Sequence, residues 1–320
     1  MKYGVIAGID KPVSRLVFGS LVATGRGEEE GYKLLDAVLA QGCTTFDTAR
    51  VYGSTDRILG SWVRDRNVRD QVVILAKGAH HNAERRRVTP EDIAADLDKT
   101  LEEMQLPSVD LYVLHRDDPD YPVGPIVEAL NEHVRAGRIS AFGGSNWSYE
   151  RVRAANEYAA EHGLIPFAVT NPQYSLAPQR EEPWLNCISI GGPGGADARR
   201  YYAECGIAVL SWSSLGAGFF SGRITRENAA SWTEGYEEQA VRCYGSEESF
   251  ERLDRVRELA AAKGADVPQI AMAFLMNQPM NVFALVGCQT PEEFASSAAA
   301  LEIVLSPDEV AYLDLLRDAP

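Results

Sequence analysis

Four side chains, Asp47, Tyr52, Lys77 and His115, are of the types that together polarise and protonate a carbonyl oxygen, and each stands at or just past the end of an apolar run. Asp47 ends Thr45-Phe46 with Tyr52 shortly after it, Lys77 closes Val72-Val73-Ile74-Leu75-Ala76, and His115 closes Leu111-Tyr112-Val113-Leu114. Such runs read as strands. Strands of a parallel sheet end together on one face, so the four groups are expected at one place. A free tyrosine, with a pKa near ~10, donates its proton poorly, and a neighbouring ammonium lowers that value. Lys77 is placed to act on Tyr52 in this way, and Asp47 to keep Lys77 charged, since an isolated buried lysine tends to lose its proton. His115 would hydrogen-bond the same carbonyl oxygen that Tyr52 protonates. None of these groups is a strong free nucleophile and no metal-ligand triad stands out, so attack on the carbonyl carbon is left to a hydride donor. Asp47 and Lys77 alone would read equally well as a structural ion pair; Tyr52 and His115 at neighbouring strand ends favour a site. His80 and His81 are adjacent, point different ways and lack a completing carboxylate, which makes them surface or pocket-rim residues rather than metal ligands.

The elements that must position these groups follow from periodicity and punctuation. Residues 1 to 19 predict a hairpin with a strand at Tyr3 to Ala7 and a turn at Gly8-Ile9-Asp10, then a strand from Arg15 to Phe18. Further strands are expected at 45–47, 72–77, 110–114, 139–142, 167–170, 207–211 and 282–286. Helical spacing of apolar residues falls between them, as in Tyr32, Leu35, Val38 and Leu39, stopped by Gly42, or Ile93, Leu97, Leu101 and Met104 behind the cap Thr89-Pro90-Glu91-Asp92. Residues 177–195 carry too many Pro and Gly residues for a regular element, and 219–245 also reads as a loop. Eight strands alternating with helices give an α/β fold, a (β/α)8 TIM barrel, with the N-terminal hairpin capping its bottom and long loops at the C-terminal face. One domain over residues 1–320 is the expected organisation.

Composition narrows the function classes. With 45% hydrophobic and 24% charged residues, the 320-residue chain can build a large core. Its net charge of -15 argues against general nucleic-acid binding, which needs Lys and Arg to neutralise phosphates. Five cysteines without a C-x-x-C pair read as reduced thiols. No apolar leader or membrane-length run is seen, so a cytoplasmic protein without membrane contact is expected.

The motifs that carry a family resemblance are D-T-A-x-x-Y-G at 47–53, Lys77, L-H-x-x-D at 114–118, G-S-N-W at 144–147 and Q-Y-S-L at 173–176. W-S-S-L-G-A-G-F-F-S-G at 212–222 and V-G-C-Q-T-P-E at 286–292 complete the series. In this order and over nearly the whole chain, the sequence resembles the aldo-keto reductase superfamily, whose members reduce carbonyls with a nicotinamide cofactor in a (β/α)8 barrel. The resemblance implies Tyr52 as general acid with Asp47, Lys77 and His115, and NADP(H) or NAD(H) as cofactor. It places Ser145, Asn146 and Gln173 on the nicotinamide carboxamide, which needs donors and acceptors together. Trp212 becomes the aromatic under the nicotinamide ring, and Ser213, Leu215 and Gly218 the loop near the pyrophosphate, with Arg223 adding charge. Gly287, Gln289, Glu293 and Ser297 fall in the segment nearest the far end of the nucleotide.

That last segment departs from the family pattern. Gly287 and Glu293, followed by Ser296 and Ser297, replace the Lys and Arg that many relatives set against the 2′-phosphate of NADPH, so NADH is expected to be accepted. Arg50, Arg116 and Asp117 suggest a polar mouth and a small hydroxylated substrate, a sugar-like or polyol-derived carbonyl or alcohol. Two other classes compete with the reductase reading. A metal-dependent barrel hydrolase or isomerase is one, and a cofactor-binding sensor barrel without turnover is the other.

Overall fold

The runs read as strands are short, rich in Val and Leu, and followed by helices, the pattern of a parallel sheet covered on its outer face and filled within. The computed structural model describes all 320 residues and closes eight parallel strands into a barrel. An antiparallel pair, β1 (Tyr3–Gly4) and β2 (Val13–Ser14), precedes it. The barrel strands are β3 (Leu16–Gly19), β4 (Thr45–Asp47), β5 (Val73–Gly78), β6 (Val109–Leu114), β7 (Ile139–Ser145), β8 (Val169–Asn171), β9 (Ala208–Ser211) and β10 (Asn281–Val286). Each pairs with its neighbours in chain order, and β10 closes the ring on β3.

Two apolar layers result. Along β5, Val73 and Leu75 point into the barrel while Ile74 and Ala76 face the helices; along β6, Leu111 and Val113 point in. With Val17, Ala141, Val169, Ala208, Leu210 and Phe283 they fill the interior, and Ile6 and Val13 of the hairpin region plug its lower end. The outer layer is a separate, larger cluster of 67 buried residues between strands and helices. The cap at Thr89 opens a helix as expected, its Oγ1 accepting the Asp92 amide at 3.3 Å ahead of Pro90–Met104, and Ser306 forms a capping box ahead of Pro307–Leu313.

The sequence reading differs from the structure in two places. The expected strand Tyr3 to Ala7 pairs only over Tyr3–Gly4, because Ile6 turns inward to seal the barrel. Within 219–245, expected to be a loop, residues Gly235–Tyr244 form a helix that buries only Ala240, Cys243 and Tyr244. A helix with so short an apolar stripe leaves little periodic signal. Residues 177–195 are irregular apart from a bridge of Ser189 to Gln173 and a 3-10 turn at Pro193–Gly195.

No helix is long and apolar enough to cross a membrane. Two surface clefts of about 300 and 220 Å³ lie at the lower end, lined by residues such as Lys2, Arg15 and Met280, and by Val5, Phe167 and Ile207. They are remote from the upper rim where Lys77 and His115 emerge.

Strand β7 packs so closely on β8 that a methyl group at Gly143 would enter the van der Waals sphere of the Val169 carbonyl oxygen. Gly143→Ala is therefore expected to lose about 1–3 kcal/mol of stability through overpacking. A urea titration reads this as a lower midpoint, and an unchanged midpoint would show that the pair of strands has room to spare.

Candidate active site

The side-chain alternation that fills the barrel also places the polar groups. On β5 the inward series Val73, Leu75 continues to Lys77; on β6 Leu111, Val113 continues to His115; on β7 Ala141, Gly143 leads to Ser145, and on β8 Val169 leads to Asn171. On β4 Phe46 faces outward, so Asp47 faces in. Register brings these ends together, Asp47 opposite Leu75, Lys77 opposite Val113, and Ser145 opposite Asn171.

Lys77 and Asp47, exposed by only 2% and 3%, form a direct ion pair. Burial by itself would pull the Lys77 ammonium down, but Asp47 and the nearby Tyr52 outweigh it and hold Lys77 above its ordinary value. Burial pushes the Asp47 carboxyl up, against the pull of Lys77. The Lys77 ammonium lies 5.5 Å from the centre of the Tyr52 ring, and the Tyr52 and His115 rings meet edge to face at 5.8 Å. All four groups of the sequence reading thus converge.

One electrostatic expectation is corrected. Burial raises the Tyr52 phenol above its ordinary value, and this exceeds the opposing pull of Lys77 and Arg116. In the free site Tyr52 is a protonated phenol. His115 is held well below the ordinary histidine value, first by burial and then by the charges of Lys77 and Arg116, so its imidazole is neutral. Its Nδ1 has no protein partner.

Tyr52 sits on a loop secured from two sides. The amides of Thr48 and Arg50 donate to the carbonyls of Leu75 and Lys77 at 2.8 and 2.9 Å, which zips the loop to β5. Behind it, Arg50 donates to Asp56 at 2.9 Å and to Glu103 at 2.8 Å, and Thr48 and Thr100 donate to the same Asp56 carboxylate. Arg50 is thereby committed to the helices and is not a mouth residue. Asp117 is likewise taken, held through two bonds by Arg151 at 2.9 and 3.0 Å. Arg116 remains beside His115, donating to its carbonyl at 2.9 Å. His80 packs edge-on against His115 at 4.9 Å and His81 against His80 at 4.2 Å, on the rim as expected.

The residues expected around the nicotinamide also come together. Asn146 donates to the His115 carbonyl at 3.3 Å, Ser145 to the Asn171 carbonyl at 3.0 Å, and Gln173 forms a parallel bridge with Trp212. What the sequence did not show is how the irregular segment 177–195 lies over them. The Ile188 amide donates to Asn146 Oδ1 at 3.1 Å, the Ser189 hydroxyl donates to Gln173 Oε1 at 2.5 Å, and Trp184 packs on Trp212 at 5.8 Å. Trp212 Nε1 and Asn171 Oδ1 are buried without partners.

Beyond β9 the backbone turns through positive φ at Ser213, Gly216, Ala217 and Gly218. The amides of Ser213, Ser214, Leu215 and Ala217 donate to no protein acceptor, so this turn keeps free N–H groups of the kind that can hold an anion. Arg223 is exposed and pairs with Glu237 at 3.3 Å. At the last barrel strand, Glu293 accepts the Gln289 amide at 2.6 Å, while Ser297 turns its hydroxyl toward Cys288 at 3.7 Å, and Gly287 packs near Val22. Arg26, which the sequence reading did not weigh, donates to the Gln289 carbonyl at 2.6 Å and to its side-chain oxygen at 2.7 Å. No group of three or more His, Cys, Asp or Glu side chains is disposed to hold a metal ion.

Comparisons with known proteins bear on the fold and the family. A crystal structure of a thermostable aldo-keto reductase in complex with the inhibitor epalrestat superposes with a TM-score of 0.72, covering 99% of this chain and all of that one at 23% identity, which shows the fold. An oxidoreductase of Bacillus subtilis, YrpG, is 24% identical over 100% of this chain and 97% of its own length. A norsolorinic acid reductase of Emericella nidulans is 25% identical over 90% of this chain and 72% of its own, and a probable aryl-alcohol dehydrogenase of Saccharomyces cerevisiae 25% over 90% and 87%. The model of the aldo/keto reductase family matches residues 15–318, and the chain accordingly belongs to that family of nicotinamide-dependent oxidoreductases.

Proposed function

We propose that the enzyme reduces an aldehyde or ketone to an alcohol with Tyr52 as the proton donor, in a site built by Asp47, Lys77 and His115. The observation that carries this reading is the Tyr52 ring set between the His115 ring and the buried Lys77 ammonium, and burial favours the protonated phenol and the neutral imidazole there. His115 donates a hydrogen bond to the carbonyl oxygen and orients it, and Tyr52 gives that oxygen its proton. Lys77 stabilises the phenolate left behind, and Asp47 keeps Lys77 charged and in place. A bound nicotinamide supplies the hydride.

The residues present fit that cofactor. Ser145, Asn146 and Gln173 are the mixed donor and acceptor types a carboxamide needs, each bonded to protein neighbours in the free site, and beside them Asn171 Oδ1 and Trp212 Nε1 are unpartnered. Trp212 provides a platform for the ring, and the free amides of the turn that runs from Ser213 to Gly218 suit the pyrophosphate. Gly287, Gln289, Glu293 and Ser297 take the adenosine end, with Arg223 further out. There Glu292 and Glu293 both stand in the first turn of the helix, and Arg26 is bonded to Gln289, which supports acceptance of NADH. The substrate partner is a small carbonyl or alcohol. With Arg50 and Asp117 committed elsewhere, polar recognition beside the reacting group rests on Arg116.

Tyr52→Phe is expected to lower turnover by about 10²–10⁴-fold while cofactor still binds; a variant that keeps most of its activity would remove Tyr52 from the role of acid. Fluorescence titrations should give NADH binding at least as tight as NADPH, and NADPH tighter by about tenfold, ~1.4 kcal/mol, would reject the cofactor reading. The neutral His115 has a consequence for stability. Its folded value lies below the ordinary one of about 6.5, so at lower pH the unfolded chain binds a proton that the folded site refuses. Stability is fully present above that pH and falls below it, by up to about 1.4 kcal/mol per pH unit for this one group. His115→Asn should show a shallower acid slope in chemical denaturation than the native enzyme; equal slopes would mean that His115 titrates normally.

A further inference from the structure

Arg116 is 6% exposed and carries a full charge with no carboxylate within ion-pair distance. Its neighbours in sequence are spoken for: Asp117 by Arg151, and Asp118 by Arg86 at 3.0 Å. Apart from Glu182, which lies too far away for an ion pair, the other groups around it are cationic or uncharged. His80, His81 and His115 all stay neutral, lowered by burial and by Arg116 itself, and Tyr52 is a phenol. Lys77 adds a second positive charge that acts on His115. Cys187, pushed up by burial, is a thiol. The exposed Glu182 turns a carboxylate oxygen to the Cys187 amide at 3.3 Å instead.

The guanidinium is only half used. Nη1 donates to the His115 carbonyl at 2.9 Å, Nη2 has only the Cys187 sulfur at 3.9 Å, and Nε is buried with no partner. Leaving a buried charge and its N–H groups uncompensated is costly, and natural sites of this kind are completed by an opposite charge. The free edge formed by Nε and Nη2 is the one that meets a carboxylate through two parallel hydrogen bonds. A mere prop for the His115 backbone would need one donor, not a buried charge without a direct ion-pair partner. His81 Nδ1 and His115 Nδ1 are also buried and unpartnered, so further polar atoms near Arg116 await a partner.

We propose that Arg116 selects the substrate by binding a carboxylate carried close to the reacting carbonyl, which makes the substrate class an oxo acid. The proposal rests on the carbonyl-reductase reading given above and deepens it. The carbonyl gains the hydride and the Tyr52 proton and becomes a hydroxyl, and the carboxylate passes through unchanged, so the product is a hydroxy acid. Arg116 anchors the acid end and leaves the carbonyl oxygen to Tyr52 and His115.

The test compares each of three acids, glyoxylate, 4-oxobutanoate and 4-carboxybenzaldehyde, with its methyl ester, following NADH and NADPH oxidation by the native enzyme. At least one acid is expected to exceed its ester by about tenfold or more in kcat/KM, the preference residing in KM, and Arg116→Gln should erase that ratio while Arg116→Lys restores part of it. A native enzyme that uses every ester as well as its acid overturns the proposal without any variant, as does an Arg116→Gln enzyme whose acid-to-ester ratio is unchanged, the mark of a purely structural role. Calorimetric binding of benzoate, which cannot be reduced, supplies a readout independent of turnover. Benzoate should bind the native enzyme with cofactor present, and no detectable binding there overturns the proposal. Oxidation of neither cofactor by any carbonyl, acid or ester, would instead sink the reductase reading itself, and benzoate would still report on Arg116.

Discussion

A closed ring of strands allows each strand only one inward direction, and alternate residues must take it. This constraint governs the molecule. Because Val73 and Leu75 fill the barrel, Lys77 has no choice but to enter above them, and the same alternation on β6 delivers His115. The active site is the topmost layer of the core, the point at which packing side chains give way to polar ones. Asp47 and Lys77 share the property of being too deep to be solvated, so each is tolerable only beside the other. Their pairing is a condition for the barrel to close around charge, and it supplies the electrostatic setting of Tyr52 at the same time.

Much of this was legible in the sequence because it depends on local pattern. Apolar runs ended by titratable residues gave the strands and their rim; the cap Thr89-Pro90 gave a helix start. Asp47, Tyr52, Lys77 and His115 could be grouped from strand-end logic alone. The sign of the Tyr52 shift could not. A sequence shows that an ammonium is nearby but not that burial of the phenol exceeds its pull.

The other gaps have a common origin in side chains whose partners lie far along the chain. Arg50 looked like a mouth residue until Asp56 and Glu103 were seen to hold it, and Asp117 until Arg151 did. Arg26 lies more than 250 residues from Gln289, so no local pattern links them. Segment 177–195 was read from its Pro and Gly content as a loop, which it is, yet composition says nothing of its hold on Asn146 and Gln173. Arg116 is the reverse case: its significance lies in partners it lacks, and only coordinates show that.

The two halves of the catalytic group stand on different supports. Asp47 and Lys77 belong to the sheet, whereas Tyr52 rides on a loop whose rear anchor, Arg50, is fastened to Asp56 on one outer helix and Glu103 on the next. The separation between phenol and ammonium is therefore a mechanical coordinate, set by how the outer layer of helices seats on the inner ring. Ordinary sliding of those two helices past the ring would be transmitted through Arg50 as a change in that spacing, so the exterior of the barrel has a direct lever on proton transfer at its mouth.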